Sequence, residues 1–166
     1  RDLTPTNVMV DKDTNVKIVD FGLARSMFNV DLEAETSCSL DGAVIGSPMF
    51  MSPEQARGEN DSLDARSDIY AAGIVLYVLL LRRHPLDIDQ SDRRKTIRAI
   101  ALGEVRKPRD LNPAFSQTLQ EIMLKALAPL VEDRYQTADE FGTAIRGYLQ
   151  RRAEKARKRN ASSGPM

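Results

Sequence analysis

The sequence predicts a mainly α-helical domain opened by one short β-hairpin. Three observations carry that reading. Apolar residues recur at helical spacing in four segments between residues 67 and 149. Two short runs of β-formers flank an Asx-rich turn near the start, and the stretch between hairpin and helices keeps no period.

Residues 1–7 (RDLTPTN) are polar, and Pro5 restricts Thr4 to an extended conformation, so they form a loop. Val8-Met9-Val10 and Val16-Lys17-Ile18-Val19 are the two strands, joined through Asp11-Lys12-Asp13-Thr14-Asn15. Asp20-Phe21-Gly22 ends the hairpin. From Ser26 to about Pro53 the chain reads as one long acidic loop, with Asp31, Glu33, Glu35 and Asp41 and no basic residue between Asn29 and Gly46. A helix capped by Ser67 or Asp68 runs to about Leu81; it is apolar nearly all round and is expected at the centre of the core. Arg82-Arg83-His84-Pro85 stops it, and His84, the only histidine, reads as a surface or helix-end residue. A second helix spans Ser91 to Leu102, with Ile97, Ile100 and Ala101 on one face and Gly103 as its stop. A third, Ser116 to Ala128, turns Leu119, Ile122, Met123 and Ala126 inward. The last, Thr137 to Leu149, opens on a capping-box pattern and turns Phe141, Ala144, Ile145 and Leu149 inward. The folded domain is assigned to residues 1–150, and 151–166 to a basic helix extension with a flexible tail.

The chain has 166 residues, enough for one sizeable core, and its 42 % hydrophobic and 29 % charged content excludes collagen-like, disordered and disulfide-stapled classes. Twenty-four basic residues balance 24 acidic ones, so overall charge names no nucleic-acid partner. Residues 151–159 (RRAEKARKR) nevertheless carry six basic residues and one acidic, a net of +5 that leaves −5 elsewhere. That segment reads first as a solvated helix end and second as one that leads toward a membrane anchor or another domain and is weakly attracted to anionic lipid. The longest uncharged apolar run, the 13 residues Ile69–Leu81, is too short to span a bilayer. The single cysteine, Cys38, lies in a polar stretch and fits a reducing, cytoplasmic setting.

Asp2, Asn7 and Asp20 stand at the edges of the hairpin. Pairing of its strands would bring Asn7 and Asp20 close, and two oxygen donors there suit a hard cation such as Mg²⁺, with Asp2 nearby as a base. By spacing alone the signal is weak, and the same three residues read more readily as ordinary turn residues, where Asp and Asn are common.

Wider motifs favour the first reading. RDLTPTN resembles the protein-kinase catalytic loop without its leading His, Asp20-Phe21-Gly22 matches the metal-binding DFG motif, and Ser52-Pro53-Glu54 resembles the APE that closes the activation segment. GSPMFMSPEQARGE at 46–59, DARSDIYAAGIVLY at 64–77 and EDRYQTADEF at 132–141 resemble the eukaryotic-like Ser/Thr protein kinases of bacteria. The resemblance covers residues 1 to about 150 and implies the α+β kinase fold, of which this chain is the mainly helical large lobe.

It further implies transfer of the ATP γ-phosphate to protein Ser/Thr hydroxyls, with ATP and Mg²⁺ as cofactors and protein substrates as partners. Asp2 matches the catalytic base, Asn7 and Asp20 the metal-binding pair, and Phe21 with Gly22 the packing element that follows. Arg1 matches a contact to a phosphorylated activation loop, whose candidate acceptors are Thr36, Ser37 and Ser39. Ser47, Pro48, Met49 and Phe50 match the Ser/Thr-type substrate-docking segment, Glu54 and Arg134 a structural ion pair, and Asp68 a brace for the catalytic loop. Two departures accompany the match. Thr4 replaces the Lys that contacts the transferring phosphate. No GxGxxG occurs, and none of the seven lysines sits in a VAIK-like strand. The chain is therefore expected to be one lobe, cut between a missing His and Arg1, that binds ATP weakly and turns over negligibly alone. The alternative is a pseudokinase or truncated lobe that binds proteins without catalysis.

Overall fold

A computed structural model describes residues 3–19, 48–59, 63–89 and 91–162. A two-stranded antiparallel sheet comes first, β1 (Val8–Val10) and β2 (Val16–Ile18), in the register Val8↔Ile18, Met9↔Lys17, Val10↔Val16. Among the described residues six helices follow: α1 (Pro53–Ala56), α2 (Ala65–Leu81), α3 (Arg93–Leu102), α4 (Pro108–Leu111), α5 (Gln117–Ala126) and α6 (Ala138–Ser162). Short 3-10 turns occupy Pro5–Asn7, Pro48–Phe50 and Val131–Asp133. α1, α4 and these turns are too short to show a period, which is why periodicity alone does not find them.

The central helix is α2, and it feeds two apolar clusters. Tyr70, Ile74 and Tyr77 pack with Leu119, Met123 and Leu127 of the α5 region, while Ile69 joins Ile122, Ala126, Tyr135 and Phe141 toward α6. α2 and α5 approach closely at Gly73, where an added Cβ would meet Leu127 at 3.1 Å and Ala126 at 3.2 Å. The centrality expected of this helix holds up to its last turn, where Leu79 and Leu80 are exposed. Its start differs from the expectation. Asp64 caps it, accepting the Arg66 N–H at 2.8 Å, which places Ser67 and Asp68 inside the first turn. Ser67 is instead committed to Glu54, so it has no role as a cap.

α3 and α5 begin one or two residues later than the pattern suggests, capped by Asp92 and Ser116. Gly103 closes α3 in the left-handed conformation, φ 65°. At α6, Thr137 Oγ1 accepts the Glu140 N–H, but the Glu140 carboxylate accepts from Gln136 rather than Thr137, so the box closes one residue early. α6 also runs further than the turn or two expected, to Ser162. Every residue from Leu149 to Ala161 is exposed, so Leu149 does not face inward; past Tyr148 the helix has left the body. No helix among the described residues is long and apolar enough to cross a membrane.

Candidate functional site

The hairpin is shaped by its turn. The Asp11 carboxylate accepts the N–H groups of Asp13 (3.0 Å) and Asn15 (2.9 Å) and lies 3.3 Å from the Lys17 ammonium, while Thr14 takes the left-handed conformation, φ 64°. The hydrogen bond from Asn15, the partly opposing desolvation, and the Lys17 contact together leave the Asp11 carboxyl below its ordinary pKa. At the open end the ladder gains one more pair, because Val19 N–H donates to the Asn7 carbonyl at 2.9 Å. Asn7 N–H in turn donates to the Thr4 carbonyl at 3.0 Å, which closes the 3-10 turn that carries the loop into β1. Asn7 is half-buried at this end, beside the backbone of the residue that precedes Asp20. The Thr4 hydroxyl pairs with that of Thr6 at 2.7 Å. Arg1, Asp2, Asp20, Phe21, Gly22, Thr36, Ser37, Ser39, Ser47 and Cys38 lie outside the described residues.

A second constellation sits below the 48–54 segment. Glu54 and Arg134, 80 residues apart, form a two-toothed pair: Nη1 donates to Oε1 at 2.8 Å and Nη2 to Oε2 at 2.7 Å, with both side chains 0 % exposed. A buried guanidinium needs its remaining donors satisfied. Arg134 gives them to the carbonyls of Ala128 (2.8 Å), Arg66 (3.2 Å) and Pro129 (3.3 Å), and its Cζ lies over the Tyr70 ring, 4.8 Å from the centroid. Ser67 Oγ donates to Glu54 Oε1 at 2.8 Å. Burial by itself would raise the Glu54 carboxyl, but the hydrogen bonds from Arg134 above all, then from Ser52, its own backbone and Ser67, outweigh it and hold the pKa at about 2. The network locks α1, the first turn of α2 and the α5–α6 connection into one unit. Half-buried Asp68 is the next residue after Ser67.

Pro48–Phe50 rests on this frame, with Phe50 packed against the α2–α5 cluster. Its other attachment is His84. The ring Nε2 lies 2.8 Å from the Met49 carbonyl, and Leu86 N–H donates to Nδ1 at 3.1 Å. His84 stands just past the end of α2, as a helix-end residue should, but it is half-buried and bonded at both nitrogens and does not lie free on the surface. Neither His84 nor the Ser67 and Tyr70 contributions carries a local signature in the sequence, because their partners lie 35, 13 and 64 positions away in the chain.

A short hairpin followed by a helical core with a buried carboxylate–guanidinium tie is the mainly helical large lobe of the protein-kinase fold. Residues 1–143 match the protein kinase domain, and the chain belongs to that family, with the bacterial eukaryotic-like kinases. Among its relatives, the tyrosine-protein kinase MasK of Myxococcus xanthus is 36 % identical over 149 residues, 90 % of this chain and 22 % of its own length. The serine/threonine-protein kinase PknB of Mycobacterium leprae is 40 % identical over 145 residues, 85 % of this chain and 21 % of its own. The probable serine/threonine-protein kinase SCO3848 of Streptomyces coelicolor is 38 % identical over 153 residues, 90 % and 21 %. The chain therefore spans about a fifth of the length of these relatives.

Proposed function

We propose that this chain carries the catalytic loop and substrate face of a Ser/Thr protein kinase, which transfers the γ-phosphate of ATP to protein hydroxyls. The observation that supports it most is the Asn7–Val19 pair. It puts Asn7 alongside Val19, which precedes Asp20 in the sequence, and so supports reading Asn7 and Asp20 as a pair of oxygen donors. An amide oxygen and a carboxylate are the donors a hard divalent ion accepts alongside phosphate oxygens, so the residues fit Mg²⁺ with ATP. Asn7 and Asp20 would hold the ion, which would supply neutralisation of the phosphate charge. Asp2 orients the substrate hydroxyl and accepts its proton as the oxygen attacks. Ser47, Pro48, Met49 and Phe50 receive the peptide flanking that hydroxyl, and the Glu54–Arg134 tie holds them in place. Phosphate on Thr36, Ser37 or Ser39 pairs with Arg1 and orders the loop for catalysis.

Thr4 favours a second reading, a pseudokinase or protein-binding lobe. Its hydroxyl supplies no positive charge to the transferring phosphate, and it pairs with Thr6. The 166-residue chain contains no glycine-rich loop, so by itself it is expected to turn over negligibly.

Transfer of radiolabelled γ-phosphate to a Ser/Thr peptide mixture by the intact protein decides between these readings. Asp2→Asn should lower kcat by about 10²- to 10⁴-fold, and label should map to Thr36, Ser37 or Ser39 in the wild type. Absence of transfer by a folded, ATP-binding wild type would establish the second reading.

A further inference from the structure

The loop after α2 is held at both ends. Arg106 N–H donates to the Pro85 carbonyl at 2.8 Å, and Tyr77 Oη fixes the Arg106 carbonyl from within the core at 2.9 Å. Thr96 Oγ1 of α3 donates to the Asp89 carbonyl at 2.7 Å. Pro85 and Leu86 are buried. From this anchored loop His84 reaches across to Met49. Among the described residues that is the one hydrogen bond entering the 48–50 turn from elsewhere in the chain.

The bond geometry fixes the proton. A carbonyl oxygen only accepts, so Nε2, at 2.8 Å from the Met49 oxygen, carries the hydrogen. Nδ1 is then the lone-pair nitrogen that the Leu86 N–H fills at 3.1 Å. Protonating Nδ1 would set two N–H groups against each other and leave only the Leu86 carbonyl, 3.4 Å away, as a poorer partner.

We propose that His84 is a positioning residue for the protein substrate: its neutral, Nε2-protonated ring ties the Met49 carbonyl to the anchored loop and so sets the shape of the docking segment. This rests on the reading of Ser47–Phe50 as the substrate face. A second consequence is pH dependence. Burial depresses the imidazole pKa below the ordinary 6.5, with the two backbone bonds only partly opposing it. The nearby charges are Arg82 and Arg83 at the end of α2, Asp87 and Asp89 in the loop, Arg106 paired with Asp87, and the basic first turn of α3; the 48–50 turn brings none. None of these charges contributes to the shift at His84. The Leu86 N–H bond that seats the ring through Nδ1 is whole above about pH 6.5 and is lost as pH falls through the lower folded value, so the ring still donates from Nε2 but no longer holds Met49 from a fixed position.

The test compares two substitutions in the intact protein. His84→Ala should raise the peptide KM about 3- to 10-fold, the loss of one hydrogen bond, with kcat and the ATP KM within about twofold. His84→Gln keeps a donor for Met49 and should restore the peptide KM, while abolishing its rise below pH 6.5. An unchanged peptide KM in His84→Ala, or an equal rise in the ATP KM, overturns the proposal. Long-range ¹H–¹⁵N spectra of the imidazole, assigned by difference from His84→Gln, decide independently of activity. The Nε2–H tautomer with a pKa below 6.5 is expected, and an Nδ1–H tautomer overturns the bridge. Should the wild type phosphorylate nothing while the spectra show the Nε2–H form, the kinase reading fails and the bridge stands as a structural feature only.

Discussion

Glu54 and Arg134 have left water entirely, and their mutual attraction offsets the cost of removing two charges only because every hydrogen-bonding group is met. Removing one partner strands the other. Glu54→Gln should therefore destabilise the fold by about 3–5 kcal/mol, read from urea melts at pH 7. The sign of the pH effect follows from the depressed carboxyl. With the folded pKa at about 2 against an ordinary 4.5, the pair contributes its full stability above pH 4.5 and loses it as pH falls toward 2. Wild-type melts between pH 5 and 3 should show that loss, and Glu54→Gln should be flatter over the same range. The motif match picks out both members of this pair. Ser67, Tyr70 and His84 escape it, because what each does depends on a distant backbone or charge brought close by packing alone.

At the scale of elements, two helices stop in the same left-handed geometry with different residues. α3 ends on Gly103 at φ 65°, whereas α2 ends on Arg82 at φ 55°. A side chain with a Cβ is strained in that region, so Arg82→Gly should stabilise the protein by about 1 kcal/mol. Gly103→Ala should destabilise it, since the added Cβ would meet Pro129 at 3.1 Å in addition to the strained backbone. Thermal melts of the two variants should move in opposite directions. Helix ends were the least legible feature of the elements. Asp64, Asp92 and Ser116 all cap through side-chain oxygens, yet polar residues crowd each boundary, and which one caps depends on what the others bind. The apolar inward residues of α5 were legible because Leu119, Ile122, Met123 and Ala126 follow the 3.6-residue period, whereas buried Gln120, whose side-chain oxygen accepts the Arg109 N–H, was not.

Across the whole molecule, the helical half and the hairpin differ in how they are held. α2, α5 and α6 share two apolar clusters, whereas Met9, Val10, Val16, Ile18 and Val19 of the hairpin are 43–64 % exposed. The hairpin keeps its shape through the Asp11 turn and its short ladder rather than through burial. Its pairing was legible from the two runs of β-formers and the Asx-rich turn. Its exposure was not, because alternation fixes which residues share a face and says nothing of what covers that face. The chemistry proposed here depends on that hairpin, through the register that sets Asn7 beside Val19. The most direct test is a titration of the intact protein with Mn²⁺ and ATP, followed by electron paramagnetic resonance. Asn7→Ala and Asp20→Ala should each weaken metal binding in the presence of ATP by at least about 10-fold, as loss of an oxygen ligand demands, while leaving the thermal midpoint of the helical core unchanged. Metal binding that is equally tight in both variants and the wild type would contradict the assignment of these residues and the phosphoryl-transfer reading built on them.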